Sequence, residues 1–163
     1  MTKVAKSALF PNRELSYAVD TDFAAYELRY PLRKVKKCHY EVMATKLNNY
    51  PHLSYMIEAT LSLEDSRDAV IFDKETRIEE EVDILDSEDD EGEGYIVEGS
   101  SIDLDEICLS IIESSLPIKV LREDSSLPKS GKGYNILSED GFLSKEKEEE
   151  KSSPFDCLKD LDL

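Results

Sequence analysis

Few residue types in this chain could carry chemistry, and fewer are spaced for it. His39 and His52, with Cys38, Cys108 and Cys157, are the candidate bases, nucleophiles and soft metal ligands. Neither histidine lies in a glycine-rich or strand-end context, and no C-x-x-C pair occurs. The spacing therefore describes neither a nucleophile–base constellation nor a thiolate metal site. Carboxylates are plentiful, 37 against 20 Lys and Arg, but most lie in charged runs where water keeps them at ordinary acidity. A catalytic pair needs burial to separate its pKa values. Asp86–Glu93, DSEDDEGE, comes closest to a calcium loop. Its glycine falls one place late, however, and no glutamate stands at the twelfth position. The expectation is a protein that is not an enzyme and holds no metal or cofactor.

Binding is better supported than catalysis. Arg29–Tyr40, RYPLRKVKKCHY, carries Arg29, Arg33, Lys34, Lys36 and Lys37 interleaved with Tyr30, His39 and Tyr40. Such a run is either a phosphate-binding patch with tyrosines for base stacking, or a solvated loop that keeps a strand entry soluble. Charge is segregated along the chain. The formal net charge is −17, yet the first fifty residues are basic by +4 and the remainder acidic by −21. At the far end Phe155, Leu158 and Leu161 recur three apart after Ser153 and Pro154, a capped short helix with one apolar side. That side either docks back on the domain or binds a partner.

These residues must be held by a fold, and its clearest element is the stretch Ser101–Ile118. Leu104, Ile107, Cys108, Ile111 and Leu116 lay an apolar stripe along three to four helical turns. Asp103 suits the N-cap, Glu106 can complete a capping box, and Pro117 ends the helix. From Cys38 the period becomes two. Tyr40, Val42 and Ala44 face one way. After a turn at Asn48–Pro51, Tyr55, Ile57, Ala59, Leu61 and Leu63 repeat the pattern, which predicts an antiparallel hairpin. Ala69–Phe72 and Thr76–Leu85 read as two further strands, with Glu80 an anomaly on the inner face, and Gly94–Glu98 as a last short one. Ala8–Phe10 and Ile118–Val120 are brief strand candidates, and residues 14–28 read equally as helix or strand. Ser144–Ser153 is either a solvated helix or unstructured.

The expected architecture is α+β: a mostly antiparallel sheet or partial barrel of four to six strands packed on one central helix, with an acidic loop and a poorly ordered tail. The expected divisions are a basic N-terminal segment over 1–37, a core domain over 38–120 and an acidic C-terminal tail over 121–163. An odd number of widely spaced cysteines points to reduced thiols. With no apolar run suited to a signal peptide or a membrane span, the expected location is the cytoplasm.

Several of these stretches, in order, resemble the YceD family, the large ribosomal RNA subunit accumulation proteins. Asp103-Leu104 through Leu116-Pro117 is similar to the family's Asp-Leu, amphipathic helix and Leu-Pro, with Ser110 where a glutamate is usual. Arg67 in LEDSRDAV resembles the family's arginine flanked by cysteines, with Asp65 and Asp68 in the cysteine places. Ser126–Gly131 looks like the glycine-leucine segment without its cysteine knuckles, and Phe155-x-x-Leu158-x-x-Leu161 resembles the closing motif. The likeness spans roughly residues 38–163. It implies a non-catalytic role in the synthesis, processing or stability of large-subunit (23S) ribosomal RNA. Without the cysteines, any thiolate metal site of relatives has no ligands here. The implied partners are large-subunit ribosomal RNA or a pre-ribosome, contacted through Arg29, Arg33, Lys34, Lys36, Lys37 and Arg67. Alternatively, the acidic chain escorts a basic ribosomal protein, using Phe155, Leu158 and Leu161. Neither membrane nor DNA is expected.

Overall fold

Alternating side chains build the larger of two sheets among the described residues. The computed structural model describes residues 2–88, 90, 92–124, 127, 131–133 and 136–137. Strand β1 spans Lys3–Ala5, β2 Leu15–Thr21, β3 Leu32–Leu47, β4 Tyr50–Glu64, β5 Ile71–Leu85, β6 Tyr95–Ile96 and β7 Ser101–Asp103, and helix α1 spans Leu104–Ser115. The five-stranded sheet is open, in the order β2-β3-β4-β5-β6. Its first four strands pair antiparallel, and β6 lies parallel to the end of β5. The second sheet is the antiparallel ribbon of β1 and β7, with Val4 opposite Ile102.

The β3–β4 hairpin turns tightly at Asn48 and Asn49, whose φ values of 48° and 71° are those of the two-residue turn that matches strand twist. Asparagine tolerates this left-handed backbone better than other residues with a Cβ. Pro51 consequently stands inside β4, opposite Lys46, and not in the turn. Along β4 the inward set Tyr55, Ile57, Ala59, Leu61 and Leu63 is buried, as the alternation predicts.

Helix α1 begins where the capping residues place it. The Asp103 carboxylate accepts from the amides of Asp105 at 3.1 Å and Glu106 at 3.3 Å. Leu116, ahead of Pro117, is already extended. The helix buries a broader arc than the stripe, since Leu109 and Ile112 join Leu104, Ile107, Cys108 and Ile111. These side chains share one apolar cluster with the inner face of the sheet and with Val4, Leu9, Phe23 and Val120. Each large member contributes about 1.5–3 kcal/mol by leaving water.

Several expectations need correction. The first long strand begins at Leu32, because the basic run is itself strand. Ala69 has a φ of 58° and belongs to a turn, while β5 is continuous where two strands were expected. Glu80 is exposed on β5 because β6 covers only Ile84 and Leu85, leaving its stretch of β5 at an edge. At Ala8–Phe10, in place of a strand, Ala8 closes a 3-10 turn over Lys6–Ala8 and Phe10 makes an isolated bridge with Arg13, and residues 14–28 resolve into β2 and a loop. Val120 is not in a strand; its amide donates to Ser66 Oγ at 3.0 Å. The sheet does not close into a partial barrel. No boundary falls at residue 37: the chain divides into Met1–Arg122 and Glu123–Leu163, and β2 zips onto β3 from Leu15↔Ala44 to Thr21↔Cys38. The expectations for Ser144–Ser153 and for Phe155, Leu158 and Leu161 lie outside the described residues.

Candidate nucleic-acid interface

A regular strand would bury every second residue, yet β3 opens with Leu32, Val35 and Cys38 buried at intervals of three. Its register against β4 shifts between Leu32 and Lys34 and again between Val35 and Lys37. Each bulge adds one residue to β3 opposite a single partner, so two cations stand exposed between successive buried side chains. Arg33, Lys34, Lys36 and Lys37 are thereby all held toward solvent by backbone that is hydrogen-bonded into the sheet.

The remaining predicted cations approach from loops at that end. The β2–β3 connection runs along α1. The Tyr26 hydroxyl donates to Asp103 Oδ1 at 3.2 Å near the helix start, and the Arg29 amide donates to Glu113 Oε1 at 2.9 Å in its last turn. Arg67 sits in the β4–β5 turn, built around Asp65, which is 1% exposed. Asp65 accepts from the amides of Arg67 and Arg122, each at 2.7 Å.

Not all of this charge is free. Arg33 Nε donates to Glu64 Oε2 at 2.6 Å, and its guanidinium lies 5.8 Å from the centre of the Tyr30 ring. Lys36 pairs with Asp73, which also accepts from Ser62 Oγ at 2.8 Å; the ammonium first and the hydroxyl second hold the Asp73 carboxyl below its usual range. Arg29 Nε stands 3.8 Å from Glu113. No ion pair engages Lys34 or Lys37 among the described residues. Lys37 lines an open groove of about 1010 Å³ across the outer sheet face, together with Lys36, His39, Glu58 and Arg77.

Both histidines are set between carboxylates. His39 Nδ1 lies 2.8 Å from Asp20 and its Nε2 3.8 Å from Glu41. The Asp20 bond raises its pKa above the ordinary value. His52 lies 2.7 Å from Asp83 and 4.0 Å from Glu81. For His39 this surround favours the charged form.

Sequence patterning missed a buried polar cluster behind the sheet. Asp105, only 2% exposed, follows the N-cap and turns inward. The Tyr40 hydroxyl donates to its Oδ1 at 2.6 Å and the Thr2 amide to its Oδ2 at 2.9 Å. Tyr55 lies beside Tyr40 with ring centres 5.7 Å apart and donates to the Leu104 carbonyl at 3.1 Å. Burial raises the pKa of both phenols; for Tyr40 the Asp105 bond adds to the shift. Cys38 and Cys108 are free thiols in the same core. The neighbouring Cys38 thiol, then burial, holds Cys108 protonated. The available clue was two tyrosines at inward positions of adjacent strands, since a buried phenol needs an acceptor.

Comparison of the chain with protein-family profiles, curated proteins and solved structures finds no match. Among the described residues no helix is long and apolar enough to cross a membrane.

Proposed function

We propose that this chain is a non-catalytic ribosome-biogenesis factor of the cytoplasm that supports the synthesis, processing or stability of large-subunit (23S) ribosomal RNA. One observation carries the reading: two successive bulges present Arg33, Lys34, Lys36 and Lys37 from a rigid strand. Fixed cations at this spacing suit a phosphate backbone, and phosphate contact positions RNA without reading its sequence. The YceD-like order of motifs supports the same role, with α1 as the central element on which the sheet is organised. Replacing these four residues by alanine abolishes rRNA association. Binding by the parent falls with salt at a log–log slope of about −3 to −4 for four phosphates. Unchanged association, or a slope near zero, would reject direct RNA contact.

A second reading has its own observation. Glu113, Glu64 and Asp73 already engage three of the basic residues, while β5 carries acids along most of its length. On this reading the chain escorts a basic ribosomal protein without touching RNA. A single basic protein that co-purifies after nuclease treatment supports it; rRNA retained after ribosomal proteins are stripped opposes it.

A further inference from the structure

The β5 edge pairs with β4 from Ile71↔Glu64 to Asp83↔His52, and the register has no shift. On its other side β6 pairs only with Ile84 and Leu85. Over Ile71–Glu81 the outer backbone donors and acceptors of β5 therefore have no ladder partner among the described residues. This is a long, regular edge without proline or bulge, and exposed edges of that kind recruit further strands unless something blocks them. Here charge is the device, and it has one sign. Asp73, Glu75, Glu79, Glu80, Glu81 and Asp83 stand against Lys74 and Arg77. Arg77 is spent within the sheet, 3.3 Å from Glu79 and 3.6 Å from Glu58.

The adjoining outer face is not purely polar. Met43 and Met56 are 49% and 39% exposed at diagonal positions of β3 and β4, and they floor a hollow of about 360 Å³ walled by Glu41, Glu79 and Glu81. Methionine surfaces adapt to varied partners, and carboxylates above an apolar floor suit long cationic side chains with aliphatic stems. At the start of the edge Val70 and Ile71 are also exposed.

We propose that the open edge of β5 is a docking strand for an extended, lysine- and arginine-rich segment of a partner protein. That segment adds to the sheet as an antiparallel or parallel neighbour. Its main chain takes the unpaired donors and acceptors of Ile71–Glu81, and its cationic side chains reach Glu79 and Glu81 with their stems over Met56. Like charge opposes a second copy of this chain at the same edge, whereas a basic strand is attracted. The inference deepens the escort reading by naming the surface and the partner's conformation, and it rests on that reading for the partner's class.

The test uses the full chain and a fluorescent twelve-residue peptide of alternating lysine and valine at physiological salt, with binding read by anisotropy. A matched peptide, N-methylated at alternate residues, keeps the charge but loses half its main-chain donors. The expected result is binding that weakens about tenfold on N-methylation and about tenfold in the E79K/E81K variant. Amide-exchange protection should be gained over Ile71–Glu81. No binding, equal binding of the two peptides, or protection confined to other segments would overturn the proposal. The two ideas fail separately. If a basic protein co-purifies from cells equally with parent and E79K/E81K, the edge is wrong while the escort reading stands. If the peptide binds as expected but no basic protein co-purifies after nuclease treatment, the edge stands and the escort reading falls.

Discussion

Removing the Tyr40 hydroxyl isolates one buried hydrogen bond. In Tyr40→Phe the ring keeps its place beside Tyr55, so buried area barely changes and the loss is confined to the O–H donor at 2.6 Å from Asp105 Oδ1. A buried hydroxyl-to-carboxylate bond contributes about 1.5–3 kcal/mol, more than a neutral pair, because the acceptor loses solvation it cannot recover. Tyr55→Phe removes a 3.1 Å bond to the neutral Leu104 carbonyl, for which about 0.5–1.5 kcal/mol is expected. The ordering is therefore Tyr40 above Tyr55. Urea unfolding of the full chain reads both. With an m-value of about 2 kcal/mol/M, Tyr40→Phe moves the midpoint by about 1 M at unchanged slope. A cycle with Asp105→Asn should return a coupling of at least about 1 kcal/mol between the two positions. A Tyr40→Phe cost below about 0.5 kcal/mol, or a larger cost for Tyr55→Phe, would refute the assignment of Asp105 as the anchor of this cluster.

Three further outcomes follow from the same geometry. Asp103→Ala removes the acceptor for two helix amides and for the Tyr26 hydroxyl, costing about 1–2 kcal/mol, and Asp103→Asn restores most of it in thermal melts; equal losses in the two would exclude capping. Tyr40 and Tyr55 have folded-state pKa values above the ordinary value of 10.0, so the stability from their protonated phenols is complete below about pH 10 and is lost as pH climbs beyond it. Ultraviolet titration of the folded chain at about pH 11.5, where ordinary tyrosines are almost fully ionised, should fall at least two phenolates short of the eight tyrosines and approach the full count only on unfolding, whereas near-full ionisation with unchanged circular dichroism would contradict their burial. Gly94→Ala would drive a Cβ into the carbonyl of Asp83 and against Leu85, destabilising the β5–β6 junction by about 1–3 kcal/mol; an unchanged urea midpoint would show that the junction yields freely.

The local signals in this sequence were strong wherever one period held over many residues. The α1 stripe from Leu104 to Ile111, its Asp103 cap and its Pro117 stop needed only contacts within a few residues, so they could be read directly and were found in place, whereas Leu116 lies past the helix end in extended backbone. The β3–β4 hairpin was legible for the same reason, because alternation on both sides of an Asn-Asn pair leaves one antiparallel register. The basic run was legible as charge but not as strand. Its triplet, Leu-Arg-Lys-Val-Lys-Lys-Cys, breaks the two-residue period, and the bulges that absorb the extra residues exist only because β4 supplies a partner with regular spacing. Which cations stay free was likewise undecided, since Glu64, Asp73 and Glu113 are distant in sequence and meet them only across strands or from the helix. The buried role of Asp105 lay further out of reach. An acid in the first turn of a helix is favoured at the surface as well, and only the arrival of Tyr40 and the Thr2 amide makes burial tolerable. Sequence alone thus determined the elements whose stabilising contacts are local. Tertiary structure decided the sheet edge, the free cations and the buried acid, because each depends on what a distant segment brings or fails to bring beside it.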